Sequence, residues 1–242
     1  VLNGLDVGFV ELLAPARRVH VDGELVRGGG FAVPKDDDED RWISPLEVTN
    51  ACIDDDKIPS VVYPYIPMLA TVSIPAGSTA LVGKRDARHY YPSLASADSW
   101  RPWLVNPEVV LPSITGTHEP MVPAHCSWPM GLKVSCVLAQ GVTDTVTMRA
   151  GLPEARRLRP DQHCPLELPV WGSILDDVWT ITLDTEEAEQ TDAREWLPRV
   201  DEQWAAIGVE SHKGKAVDRG INKEIQGGLL HSTRHTLGLS PA

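Results

Sequence analysis

"VWGSILDDVWTIT", residues 170–182, sets two adjacent carboxylates inside an otherwise apolar run. Val170, Trp171, Ile174, Leu175, Val178, Trp179 and Ile181 read as a buried hairpin, with Gly172 and Ser173 just before the acids. Asp176 and Asp177 in such a hairpin carry a desolvation penalty and repel each other. A divalent cation that binds both removes the penalty, so the pair points to a metal site.

The segments around this hairpin set the fold class. "STALVGKRDARHYY" (78–91) reads as a strand that leaves the core near Asp86. "KVSCVLAQGVTDTVTMRA" (133–150) reads as a helix, with Val134, Val137, Leu138, Gly141, Val142, Thr145 and Val146 on one face. "EEAEQTDAREWLPRVDEQWAAIG" (186–208) is a second helix, with acids in its first turn and Ala193, Leu197, Val200, Trp204 and Ile207 on its apolar face. Pro198 is expected to kink or split it, and Gly208 to end it. "FAVPKDDDEDRWI" (31–43) reads as a hairpin with an acidic tip, and "NKEIQGGLLHSTRHTLGLS" (222–240) as a final hairpin. The order after residue 78 predicts an α+β fold, an antiparallel sheet with helices on one face.

The bulk numbers narrow the function. A chain of 242 residues with 42% hydrophobic content holds one large domain or two small ones. No apolar run is long enough to span a membrane, and "VLNGLDVGFVELLAPARR" (1–18) lacks the pattern of a signal peptide. The missing initiator Met suggests a piece of a longer chain. Cys52, Cys126, Cys136 and Cys164 follow no framework spacing and read as reduced thiols of an intracellular protein, cytoplasmic or nuclear. His118, His125, Cys126, His163 and Cys164 match no common zinc spacing. The net charge of −12 by itself argues against nucleic-acid binding. The acids are clumped, however, and basic clusters stand apart from them: Lys84, Arg85 and Arg88; Arg156, Arg157 and Arg159; Lys213, Lys215, Arg219 and Lys223. A locally positive field is compatible with a negative total.

If the strand ending at Asp86 neighbours the hairpin ninety residues later, three carboxylates meet at one sheet edge. That is a ligand set for two Mg²⁺ ions driving in-line phosphoryl transfer. Asp86 and Asp176 are the pair expected to bridge the ions. Asp177, one residue on, points the other way by the two-residue strand period and contributes less.

Several ordered blocks resemble the reverse transcriptases, particularly those of retroelements, over about residues 31–240. "KRDARHYYPSL" (84–94) resembles the first palm motif, with Asp86 and an aromatic, Tyr91, five residues on. "WPMGLKVSCVLAQ" (128–140) resembles the second, a Pro-x-Gly turn opening a helix that bears Ser135 and Gln140. "ILDD" (174–177) resembles the aromatic-x-Asp-Asp signature, with Ile174 in place of the usual aromatic. "GVESHKGK" (208–215) resembles a Gly-to-Lys block, and "EIQGGLL" (224–230) the primer-gripping hairpin. "FAVPKDDDEDRWISPLEVTN" (31–50) resembles the fingers pattern through Lys35, Arg41, Ile43 and Asn50, while Pro45 and Glu47 stand where fingers often carry Asp and Arg. "CIDDDK" (52–57) is read as a solvated loop.

The resemblance implies a polymerase palm, an antiparallel sheet of ferredoxin-like type backed by helices, over 78–242 with a fingers insertion at about 95–125. Residues 1–77 would be the N-terminal part of the fingers, and the chain would end where a thumb begins. It implies RNA-directed DNA polymerase activity with Mg²⁺, or alternatively Mn²⁺, on a primed RNA or DNA template with dNTPs, and no membrane partner. Asp86, Asp176 and Asp177 would be catalytic and metal-binding, and Lys215, with Lys213 as rival, the proton donor to pyrophosphate. Lys35, Arg41, Tyr91, Pro129, Met130 and Gly131 would bind the nucleotide, with Tyr91 under the sugar and Arg41 bidentate on the triphosphate. Gly227 and Gly228 would grip the primer, and Gln140 is read as structural. Two other readings stay open: an inactive reverse-transcriptase-like scaffold that binds RNA or protein, and another metal-dependent phosphotransferase or nuclease. The second leaves the Tyr91 spacing and the Pro-x-Gly turn unexplained.

Overall fold

The computed structural model describes residues 5–6, 8–34, 40–116, 118–234 and 236–239. Lys35 and the rest of the acidic tip at 36–39 lie outside the described residues. The chain divides into two compact units, Val1–Pro59 with Tyr91–Val137, and Ser60–Tyr90 with Leu138–Ala242. The secondary structure is mixed α and β, and the sheets are antiparallel.

The second unit is built on a five-stranded sheet. Its central strand, Ala80–Arg88, pairs on one side with Asp177–Leu183, which in turn pairs with Val170–Ile174. On its other side it pairs with Glu210–Ser211 and Val217–Gly220. The hairpin expected at 170–182 therefore forms, and its apolar composition is explained by burial on both faces. One face presents Ala80, Val82, Val170, Trp179, Ile181 and Leu183 to a core completed by Met68, Leu158, Leu168, Ile225 and Leu230. Gly172 is required there: it opposes Trp179, and a Cβ on it would fall 2.3 Å from the indole. The opposite face carries the helices. A Cβ on Gly83 would meet Leu197, and the buried Arg85 bonds Asp201 on the helix Trp196–Ala206.

Two local expectations need correction, and a third is met. The helix Ser135–Arg149 buries Ser135, Ala139, Gln140, Thr143, Val146 and Thr147, while Leu138, Gly141 and Thr145 are exposed. The buried face is chosen by hydrogen bonding and small side chains, so apolar periodicity pointed to the wrong stripe. The 186–208 segment is split, as Pro198 leads one to expect, into Ala188–Arg194 and Trp196–Ala206. Pro198 sits in the first turn of the second helix, where its missing N–H has no intrahelical acceptor to lose. The terminal segment forms three antiparallel strands, Glu224–Ile225, Gly228–His231 and Thr236–Leu239, rather than one hairpin.

In the first unit Pro120–His125 pairs with Val10–Leu13 and Val109–Val110, and Phe31–Pro34 pairs with Asp40–Ile43. Leu13, Val105, Val122 and Ala124 form one apolar cluster, and Leu46, Leu104 and Leu132 another. Trp100 meets Trp128 edge to face beside the latter, with ring centroids 5.4 Å apart. His125 is buried with its Nε2 2.8 Å from Ser44 Oγ and 3.0 Å from Asn106 Nδ2. With the Asn106 amide donating, the ring must be neutral with Nε2 as acceptor. The four free cysteines among the described residues include the exposed Cys52 and Cys136.

This histidine makes stability pH-dependent. Burial lowers the His125 pKa from the ordinary 6.5 to about 4. The unfolded chain therefore takes up this proton at higher pH than the folded one. The stability it confers is complete above pH 6.5 and is lost as pH falls toward 4, by up to about 3 kcal/mol. Urea midpoints should fall more steeply for the wild type than for His125→Gln between pH 7 and 4.5. Parallel curves for the two proteins would show that His125 does not titrate in this window.

Candidate active site

Asp86 and Asp177 are directly opposed across the central strand pair. Opposed residues of antiparallel strands project from the same face, so Asp177 lies beside Asp86 instead of turning away from it. The two-residue rule failed because Asp176 belongs to the turn and strand pairing starts at Asp177. Asp176 is tied in through its backbone, whose carbonyl accepts from the Ala87 N–H at 2.9 Å.

Two ammonium groups meet these acids. Lys215 Nζ bonds Asp86 Oδ2 at 3.1 Å, and Lys84 Nζ lies 3.4 Å from Asp177 Oδ1. The Asp177 Oδ1 atom is buried and makes no hydrogen bond. Burial pushes the Asp176 carboxyl up to about 6; Asp177 and Asp86 add to the rise and Lys215 opposes it. Burial also pushes Asp177 up, against the pull of the Lys84 ammonium, with Asp86 adding to the rise.

The turn carrying the acids is held by one helix. Leu175 has a positive φ of 51°, a conformation that needs local support in a bulky residue. Its N–H donates to Gln140 Oε1 at 2.7 Å, and its carbonyl accepts from the Thr143 hydroxyl. Gln140 Nε2 is in turn satisfied by Asp144 Oδ1 at 2.8 Å and Ser173 Oγ at 3.1 Å. The buried Arg157 pairs with Asp144 at 2.5 Å and lies 4.9 Å above the Trp171 ring. Tyr90, on the same unit, donates to the Ala139 carbonyl at 2.9 Å. Lys84, Thr143, Asp144 and Arg157 carry no motif, and only the charge of Lys84 and Arg157 marked them in the sequence.

The nucleotide-site candidates belong mostly to the first unit. The Pro129–Gly131 turn is gripped through its backbone. Ser135 Oγ donates to the Pro129 carbonyl at 2.8 Å, Ser44 N to Met130 at 3.0 Å, and Asn50 Nδ2 to Gly131 at 2.8 Å. Gly131 has φ +105°, and a Cβ there would fall 2.3 Å from the Ser44 carbonyl, so no other residue fits. Tyr91 is buried in this unit, with its hydroxyl 3.3 Å from Cys136 Sγ. Arg41 is exposed on the strand Asp40–Ile43. In the second unit Gln226 and Gly227 both have positive φ, which gives the tight turn before the buried Gly228.

Among the described residues no group of three or more His, Cys, Asp and Glu side chains is arranged to hold a metal ion as it stands. The donors nevertheless suit a hard divalent cation in kind. They are carboxylate oxygens, and Asp176 is desolvated and outside any ion pair among the described residues. Two lysines at present supply the positive charge.

No protein-family model and no curated protein matches the chain. Among solved structures it is similar to a foamy viral protease-reverse transcriptase in complex with double-stranded DNA, with a TM-score of 0.64 and 12% sequence identity. The likeness covers 98% of this chain and 33% of the other, so the chain spans about a third of that neighbour's length. The chain thus has a reverse-transcriptase-like fold. No helix among the described residues is long and apolar enough to cross a membrane.

The clamp on Leu175 is testable without any ligand. Gln140→Leu leaves the Leu175 N–H without its partner and leaves Asp144 and Ser173 with Arg157 as their remaining donor. The expected loss is about 1–3 kcal/mol, with faster hydrogen exchange at the 174–177 turn than elsewhere in the sheet. An unchanged melting temperature and exchange pattern would mean that the turn stands without this helix.

Proposed function

We propose that the chain is the polymerase part of a retroelement-type reverse transcriptase, joining dNTPs to a primer 3′-OH on an RNA or DNA template. The observation that carries this reading is the pairing of Asp86 with the Asp176–Asp177 turn at one end of an antiparallel sheet, in a reverse-transcriptase-like fold. Asp86 and Asp176 would hold Mg²⁺, with Mn²⁺ as the alternative. Bound divalent ions supply activation of the attacking hydroxyl and stabilisation of the leaving pyrophosphate. Lys215 would move from Asp86 to the pyrophosphate and donate a proton there. Arg41, with Lys35, would bind the triphosphate, and the Pro129–Gly131 turn would bound the nucleotide through its backbone. Tyr91 would lie under the sugar and exclude a 2′-OH. Gly227 and Gly228 would let the terminal meander approach the primer backbone closely.

One observation favours a second reading, a scaffold that binds nucleic acid or protein without catalysis. The lysine pairs on Asp86 and Asp177 already neutralise two of the three acids. In a scaffold these pairs are permanent.

Primer extension on RNA and DNA templates with Mg²⁺ or Mn²⁺ separates the two. The polymerase reading expects extension that falls by about a thousandfold or more in Asp86→Asn and in Asp176→Asn, with the fold retained. It also expects Tyr91→Ala to admit ribonucleotides. No extension and no change of melting temperature with either ion favours the scaffold, and extension surviving in both Asp variants would overturn the role given to these acids.

A further inference from the structure

We propose that Lys84 is the built-in counter-ion of Asp177, withdrawing that carboxylate from metal binding so that Asp86 and Asp176 alone hold the cation; this rests on the polymerase reading of the same acids. Lys84 precedes Asp86 by two residues on the central strand, so both side chains leave the same face. Asp177 opposes Asp86, which puts Lys84 diagonally across from Asp177, with Nζ 3.4 Å from Oδ1. That oxygen makes no hydrogen bond, so its charge is met by Lys84.

The two lysines differ in how readily an arriving cation displaces them. Lys215 follows the strand Glu210–Ser211, and its side chain is 51% exposed. Its ammonium can return to water when Asp86 takes a metal. Lys84 is anchored within the central strand opposite the buried Trp179, and its side chain is 26% exposed. Removing Asp177 from it would strand a half-buried ammonium, which is unfavourable. Asp176 makes no ion pair among the described residues, so it is the acid left open. A fixed positive charge within a few ångströms also repels a second cation, so Lys84 sets the metal affinity of the site as well as its ligand set.

Mn²⁺ alone is the probe, titrated into the 242-residue chain and followed by the electron paramagnetic resonance of the free ion. Lys84→Met should bind Mn²⁺ about tenfold more tightly than the wild type, because it frees Asp177 and removes a like charge. Lys84→Arg should keep the wild-type affinity. The double variant Lys84→Met with Asp177→Asn removes both members of the pair and should stay within about threefold of the wild type. Asp176→Asn should lose at least about tenfold. Melting temperatures without metal report the fold, and Lys84→Gln serves if Lys84→Met is unstable. A double variant as weak as Asp176→Asn would make Asp177 a ligand and overturn the proposal. Lys84 substitutions that leave the affinity unmoved, while Asp176→Asn loses it, would overturn this proposal alone. Absence of Mn²⁺ binding in every protein would overturn it together with the polymerase reading.

Discussion

The register that opposes Asp86 to Asp177 is the constraint on which the second unit depends. Along the same face, three pairs inward, the strands present Ala80 with Leu183, Val82 with Ile181, and Lys84 with Trp179. One continuous surface thus passes from a packed apolar core to a charged end within a few residues. A slip of one residue would turn the acids into the helices and the core residues away from their partners. The apolar pairs fix the register, and the register delivers the carboxylates to one place. Stability and site geometry have the same origin here, since Trp179, among the largest fully buried side chains, sits two residues from Asp177.

The opposite face of the strand pair is fastened by charge. Arg85, with a side chain 7% exposed, bonds Asp201 at 2.6 Å and Asp218 at 2.6 Å, joining the helix Trp196–Ala206 and the strand Val217–Gly220 to the central strand. Asp201 also accepts from Ser211 Oγ. The segment bearing Lys215, between Ser211 and Val217, is thereby tied at both ends by one buried arginine adjacent to Asp86. A bidentate, doubly paired guanidinium suits such a post, because it satisfies two elements from one anchor. Breaking it would leave charges unpaired in a buried place, the strongly unfavourable case for an ion pair.

The parts of this structure that were legible in the sequence are those governed by apolar burial. The 170–182 hairpin, the strand at Asp86 and the amphipathic helix through Leu197, Val200 and Trp204 follow from runs of bulky apolar residues, and each is present. What stayed hidden is governed by polar satisfaction. The buried stripe of the helix Ser135–Arg149 is selected by Gln140 and Thr143 capturing Leu175, a demand that hydropathy does not encode. The two-residue period turns Asp177 away from Asp86 because it does not register the positive-φ Leu175 that ends the strand before Asp176, and neither Leu175 nor its neighbours signal that conformation. Gly131 was legible as a turn, but the Asn50 and Ser44 contacts that make glycine obligatory there come from segments eighty residues away.

The basic clusters show the same division of labour. Read along the chain, they leave room for a locally positive field. In the fold Arg85 pairs with Asp201 and Asp218, Arg156 with Glu189, Arg157 with Asp144, Arg159 with Asp161, Arg219 with Asp184, and the two lysines with Asp86 and Asp177. Most of this charge is consumed in fastening acids that the fold itself brings close. Arg88, Lys213 and Lys223 remain exposed and outside any ion pair among the described residues. A chain of net charge −12 with its cations so committed has little field to spare for phosphates at a distance. In the polymerase reading, affinity for a primed template must then come from close backbone contacts such as those at the Gln226–Gly227 turn and from charge released on site. In the same reading a divalent ion held at Asp86 would free Lys215, converting an internal counter-ion into a cation available to a substrate's phosphates.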